Sequence, residues 1–168
     1  MEILTDAVDQ LVAEWQRERP DLDVSPLEIL SRVSRLAKHL ERARRDAFAA
    51  HGVEQWSFDV LAALRRSGRP YALPPRTLIA QTLVTSGAMT NRIDRLEAAG
   101  LVGRRPDLDD RRSVLVELTA QGLALADACL SDLLAHEETI LGALDADRRA
   151  MLAGLLRVVL APFDPALA

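Results

Sequence analysis

A single cysteine, Cys129, in a chain of 168 residues excludes an intrachain disulfide and argues against a structural zinc site, which needs four ligands. One thiol on a helical face reads as core filler. No run of about 18 apolar residues occurs, so no segment is expected to span or enter a membrane. No positively charged start with an apolar core precedes Asp6, so no secretory signal is read and a cytoplasmic location is expected. Lysine is almost missing: Lys38 stands beside 20 arginines, which favours forked donors for phosphate or carboxylate, although genome base composition produces the same bias. The three histidines, His39, His51 and His136, fall in no HExxH-like pair, no serine sits in a GxSxG elbow, and no glycine-rich phosphate loop occurs. No catalysis and no cofactor are expected.

What is present centres on Ala80 to Leu118. Thr85 and Ser86 are alternative N-caps for a helix that closes at Gly100, where a left-handed C-terminal position is expected. Met89, Ile93 and Leu96 give that helix one apolar face, while Thr90, Asn91, Asp94 and Arg95 fall largely away from it. Leu101–Arg105 and Val114–Leu118 are short and suited to pair as strands, with Pro106 to Ser113 between them. Helix, glycine stop and two strands around an arginine-rich tip are the outline of a winged helix-turn-helix: a mainly α fold with a small β-wing.

The remaining segments are helical. Leu4, Val8, Leu11 and Trp15 share a face that ends before Pro20. Ser25-Pro26-Leu27-Glu28 starts a second helix with a cap, a first-turn proline and a capping-box acid, and Ile29, Val33, Leu36, Leu40, Ala43 and Ala47 form its buried stripe as far as Gly52. Its opposite face carries Arg32, Arg35, Lys38, Arg42, Arg44 and Arg45, either solvated or facing DNA or an anion. Ser57 is placed to cap a helix through Leu64, with Phe58, Leu61 and Leu64 inward and Asp59 near its positive end. Tyr71-Ala72-Leu73 reads as a one-rung strand and Arg76 to Leu83 as a supporting helix. Thr119 caps a long helix towards Leu144 in which Leu123, Leu130, Leu134, Leu141 and Leu144 are prominent, and Asp145 caps a last helix with Met151, Leu152, Leu155, Leu156 and Val159. This apolar excess at both ends predicts N- and C-terminal dimerisation helices, and hence a homodimer. The expected division is 1–52 for the N-terminal dimerisation helices, 53–120 for the DNA-binding domain and 121–168 for the C-terminal dimerisation helices.

The net charge of −4 is compatible with DNA once it is divided by region, because Arg76 to Arg112 holds seven arginines against five acids. A modestly basic head on an acidic body is the result.

The run TSGAMTNRIDRLEAAGLVGRRPDLDDRRSVLVELTAQG, from Thr85 to Gly122, resembles the core of the multiple-antibiotic-resistance regulator (MarR) family of winged-helix transcription factors. Asp107, Asp110 and Arg112 followed by Leu118-Thr119 and Gly122 carry the wing pattern. Thr82-Leu83 departs from it by standing where many helix-turn-helix motifs place glycine. The resemblance implies a transcriptional regulator that binds a pseudopalindromic double-stranded DNA operator. Thr85, Ser86, Ala88, Thr90, Asn91 and Arg95 are expected at or near the major groove, and Arg111 or Arg112, steered by Asp110, at phosphate or the adjacent minor groove. The helix ending at Trp15 further resembles the family's urate-responsive branch, whose ligand pattern falls on Trp15, Asp59, Arg92 and Arg104. That implies a small anionic effector, either urate or another purine, or a carboxylate such as citrate or aconitate. Residue by residue the alternative stands that Trp15 is core, Asp59 supports its helix and the arginines meet phosphate or solvent. Two readings from other classes are a winged-helix adaptor for protein contacts and a thiol redox switch through Cys129.

Overall fold

In the computed structural model, residues 5–107 and 114–163 are described, and they divide into two units, Met1–Asp46 and Ala47–Ala168. The fold among these residues is mainly α with a small antiparallel sheet. In chain order the elements are α1 (Ala7–Glu18), α2 (Ser25–Ala49), α3 (Gln55–Arg66), β1 (Ala72–Leu73), α4 (Pro75–Thr82), α5 (Ser86–Ala98), β2 (Val102–Pro106), β3 (Val114–Leu118), α6 (Ala120–Leu141) and α7 (Ala146–Leu160), followed by a 3-10 turn, Ala161–Phe163.

In the first unit, α1 opens on a reciprocal capping box. The Asp6 carboxylate accepts from the Val8 and Asp9 amides at 2.7 and 3.2 Å, and the Asp6 amide donates to Asp9 at 2.7 Å. Arg32 on α2 then clamps both acids, at 2.9 Å to Asp6 and 2.6 Å to Asp9. Val8, Val12 and Val24 form the small core here, with Leu11 and Leu27 beside them. The buried stripe of α1 is therefore rotated towards Val12, and Trp15, expected on the inward face, is 49% exposed. Helix α2 includes Ser25 as its first residue, and the Ser25 amide donates to Asp23 at 3.0 Å. The first half of its expected buried stripe is bare in the single chain, since Ile29, Val33 and Leu36 are all exposed, whereas Leu40 and Ala43 are half-buried and Ala47 is buried.

The second unit packs α3, α4, α5 and the start of α6 around one cluster of Val60, Leu61, Leu64, Leu78, Met89, Ile93, Leu96, Val102, Val116 and Ala126. The sheet order is β1-β3-β2, with Ala72 opposite Glu117 and the β2–β3 register running from Val102 opposite Leu118 to Pro106 opposite Val114. Alternation along β3 sends Val116 and Leu118 inward. A second cluster joins Ala47, Phe48, Phe58, Cys129 and Leu133, with the two phenyl rings stacked at 4.5 Å between centroids.

One expectation for this unit changes. Helix α3 begins two residues before Ser57, with Glu54 as N-cap, so Ser57 is a buried residue of the first turn and Asp59 lies one turn further from the positive end. Helix α6 turns Gly122, Ala126, Cys129 and Leu133 inward, while Leu130 and Leu134, prominent in the sequence, are exposed. Small residues line the first turns of that face, where α6 approaches the Leu101 backbone closely. A Cβ on Gly122 would stand 1.9 Å from the Leu101 carbonyl oxygen.

Candidate nucleic-acid interface and effector residues

The helix-turn-helix consists of α4, a tight turn and α5. Thr85 is the N-cap of α5, its hydroxyl accepting from the Ala88 amide at 3.3 Å, which settles the choice between the two possible caps. Met89, Ile93 and Leu96 fix the helix to the core, and Ser86, Gly87, Ala88, Thr90 and Asn91 are exposed. The Thr90 hydroxyl donates to the Ser86 carbonyl at 3.1 Å. Gly100 ends the region at φ 72°, as a left-handed stop. The turn before α5 is made by Leu83 at φ 53° and ψ 42°, a conformation that costs a residue with a Cβ about 1–2 kcal/mol. Thr82-Leu83 thus takes the geometry of the missing glycine without the glycine.

Two arginines of α5 converge on a side chain that the sequence reading passed over. Arg92 and Arg95 hold their guanidiniums 5.6 and 4.6 Å from the Trp56 ring centroid. The Trp56 indole N–H donates to Glu54 at 2.6 Å, and Arg95 meets the same carboxylate at 2.7 Å. These contacts, the indole first, hold the Glu54 carboxyl below its ordinary range. A cleft of about 160 Å³ lies here, lined in part by Val53, Glu54, Trp56, Arg95, Leu96 and Leu101. The signal for Glu54 and Trp56 was the true start of α3, which a cap at Ser57 obscured.

Arg104, on β2, is gripped by Asp94 and Glu97, both on α5. The Asp94 hydrogen bond is the main cause that pushes its guanidinium further up. The expected ligand pattern sets Arg104 in one site with Asp59, but the acids that hold it are these two of α5. Asp59 is exposed on the second turn of α3. Arg105 pairs diagonally across the strands with Glu117. Asp59, Arg92 and Arg104 belong to the second unit and Trp15 to the first. Asp110, Arg111 and Arg112, at the expected wing tip, lie outside the described residues.

Cys129 is fully buried, and burial pushes its thiol up, with the charge of Asp132 acting in the same direction. No helix among the described residues is long and apolar enough to cross a membrane.

Comparison with known proteins gives a consistent set. The profile described as MarR family matches residues 51–113. The chain is 36% identical over 149 residues to the HTH-type transcriptional regulator PecS of Dickeya dadantii, covering 89% of this chain and 90% of that protein. Its fold matches the structure of a MarR variant from E. coli complexed with operator DNA at a TM-score of 0.66 and 29% identity, over 83% of this chain and 99% of that one. A structure concerned with regulation of DNA binding of Bordetella bronchiseptica BpsR by 6-hydroxynicotinic acid matches at 0.64 and 25% identity, over 78% of this chain and 91% of that one.

Proposed function

This chain belongs to the MarR family of winged-helix DNA-binding transcriptional regulators, and we propose that it is a repressor released from a pseudopalindromic operator by a small anionic effector. The outward face of α5 supplies the reading surface: Thr85, Ser86, Ala88, Thr90 and Asn91 at base edges and phosphates, with Arg95 beside them. Asp110, Arg111 and Arg112 serve the wing.

The observation that carries the effector reading is the grip of Asp94 and Glu97 on Arg104. Both carboxylates lie on the reading helix, so an anion that competes for this guanidinium changes a restraint on α5 itself. Arg92 supplies a second forked donor, Asp59 a carboxylate that accepts from an N–H or O–H of the ligand, and Trp15 an indole that walls a planar ligand. The BpsR structure concerns a heteroaromatic acid, which is in keeping with a planar anion acting on DNA binding in this family. Urate or another purine is one candidate class and citrate or aconitate the other.

The test is release from DNA. Duplexes selected from a random-sequence library by the full-length protein, labelled for anisotropy, should be released by one of urate or citrate. Trp15→Phe, Asp59→Asn and Arg104→Ala should each shift the half-maximal effector concentration at least tenfold. Failure of both ligands, or wild-type behaviour of the three variants, removes the pocket. No duplex enrichment at all would favour a protein-contact adaptor instead. A redox switch requires an accessible thiolate, and the burial of Cys129 opposes it; Cys129→Ser is expected to release DNA as the wild type does.

A further inference from the structure

Among the described residues two side chains other than glycine sit at left-handed backbone positions, Tyr71 at φ 64° and Leu83 at φ 53°. They differ in what surrounds them. The Tyr71 ring packs against the main core cluster, lies 5.0 Å from the Arg65 guanidinium, and its carbonyl accepts from the Leu118 amide at 3.1 Å. Leu83 has no such return: it is 91% exposed, more than any other large apolar side chain described. Its neighbour Val84 turns inward against the core, and Thr85 is committed to capping α5. The strained residue is therefore held outward at the entrance to the reading helix, next to the exposed run Thr85–Ala88.

We propose that Leu83 is a specificity-determining DNA contact, its isobutyl group meeting a thymine 5-methyl at the edge of the major groove. The inference deepens the DNA-binding reading and rests on it. Glycine or asparagine would take this backbone position at lower cost, and a leucine exposed to water gains nothing from burial within its own chain. The compensation is supplied in the complex. The first residues of a recognition helix approach base edges, and thymine is the base that offers an apolar group there. A side chain two positions before the N-cap, directed outward, adds an apolar point to a surface otherwise built of hydroxyls, an amide and a small methyl.

Duplexes selected by the wild-type protein provide the probe, and the same duplexes with single thymines replaced by deoxyuridine remove one methyl at a time. At one thymine per half-site the substitution should weaken wild-type binding about fivefold, the scale of one buried methyl group. Leu83→Gly and Leu83→Asn should weaken binding to the thymine duplex by a similar factor and become indifferent to deoxyuridine there. Both variants should melt at or above the wild-type temperature, because each relieves the backbone. Unchanged affinity overturns the proposal, and so does weaker binding with the thymine preference intact. If the wild type enriches no duplex, the DNA-binding reading itself fails, which is a separate result.

Discussion

At Gly122 the constraint comes from another segment's backbone and leaves no room for relaxation. A Cβ there would meet the Leu101 carbonyl carbon at 2.9 Å as well as its oxygen, where Leu101 also accepts from the Thr119 amide. Gly122→Ala must push α6 away from the start of β2, which is overpacking against backbone and should cost at least about 1–3 kcal/mol. The urea midpoint of the variant should fall accordingly, and an unchanged midpoint would mean that this approach is looser than described. Glu54 is a different kind of case. It is bound to Trp56 and Arg95, yet its side chain is 60% exposed, so solvent screening leaves the pair with Arg95 little weight in the stability of the fold. Glu54→Gln should leave the melting temperature within a few degrees while changing Trp56 emission, because the indole N–H and the arginine over the ring lose a shared charged partner.

Among the elements, α1 is tied to α2 by charged contacts beside its small apolar core. Asp6 is held below the ordinary carboxylate range chiefly by its hydrogen bond with Arg32, and Asp9 by the Asp6 amide and then Arg32. A lowered carboxylate contributes stability that is fully present above its unfolded value near 3.9 and is lost as pH falls through the folded one. Hydrogen exchange of the α1 amides should therefore accelerate, relative to those of α3, as pH drops below about 4, after correction for intrinsic rates. Arg32→Ala should show the faster exchange already at neutral pH. For α5, removing the cap hydroxyl with Thr85→Ala should cost about 1 kcal/mol, whereas Asn91→Ala should leave stability unchanged and alter base preference in a duplex selection. These elements also mark how far the sequence could be read. The face of α5, the stop at Gly100 and the β2–β3 pairing follow from local rules of period, cap and alternation, and the structure has them. The start of α3 was misread because Ser57 is a better cap by type than Glu54, while packing buried the serine inside the first turn. The partners of Arg104 were not legible either, since β2 comes back beside α5 only once the chain has folded, and acids on a helix do not announce which strand they will meet.

For the whole molecule, the single chain leaves too much apolar surface uncovered. Ile29, Leu30, Val33 and Leu36 are exposed on α2, and Met151, Leu155, Leu156, Val158, Val159, Leu160 and Phe163 are exposed on α7 and the turn after it. Helix α7 runs for 15 residues without one buried side chain. An isolated helix of that length is marginal in water, and its stability in a protein comes from packing an apolar face. A second copy of the chain is the partner that the family offers, since the leucine-rich faces lie in the segments expected to dimerise. Replacing Leu155 and Val159 together by Glu places two charges where burial is required, which no dimer interface accommodates without a partner for them. Light scattering at micromolar concentration should give a dimer for the wild type and a monomer for the double variant, which should also lose affinity for the selected duplexes although α5 is untouched. A wild-type monomer, or a double variant that still dimerises and binds DNA, would require some other cover for α7.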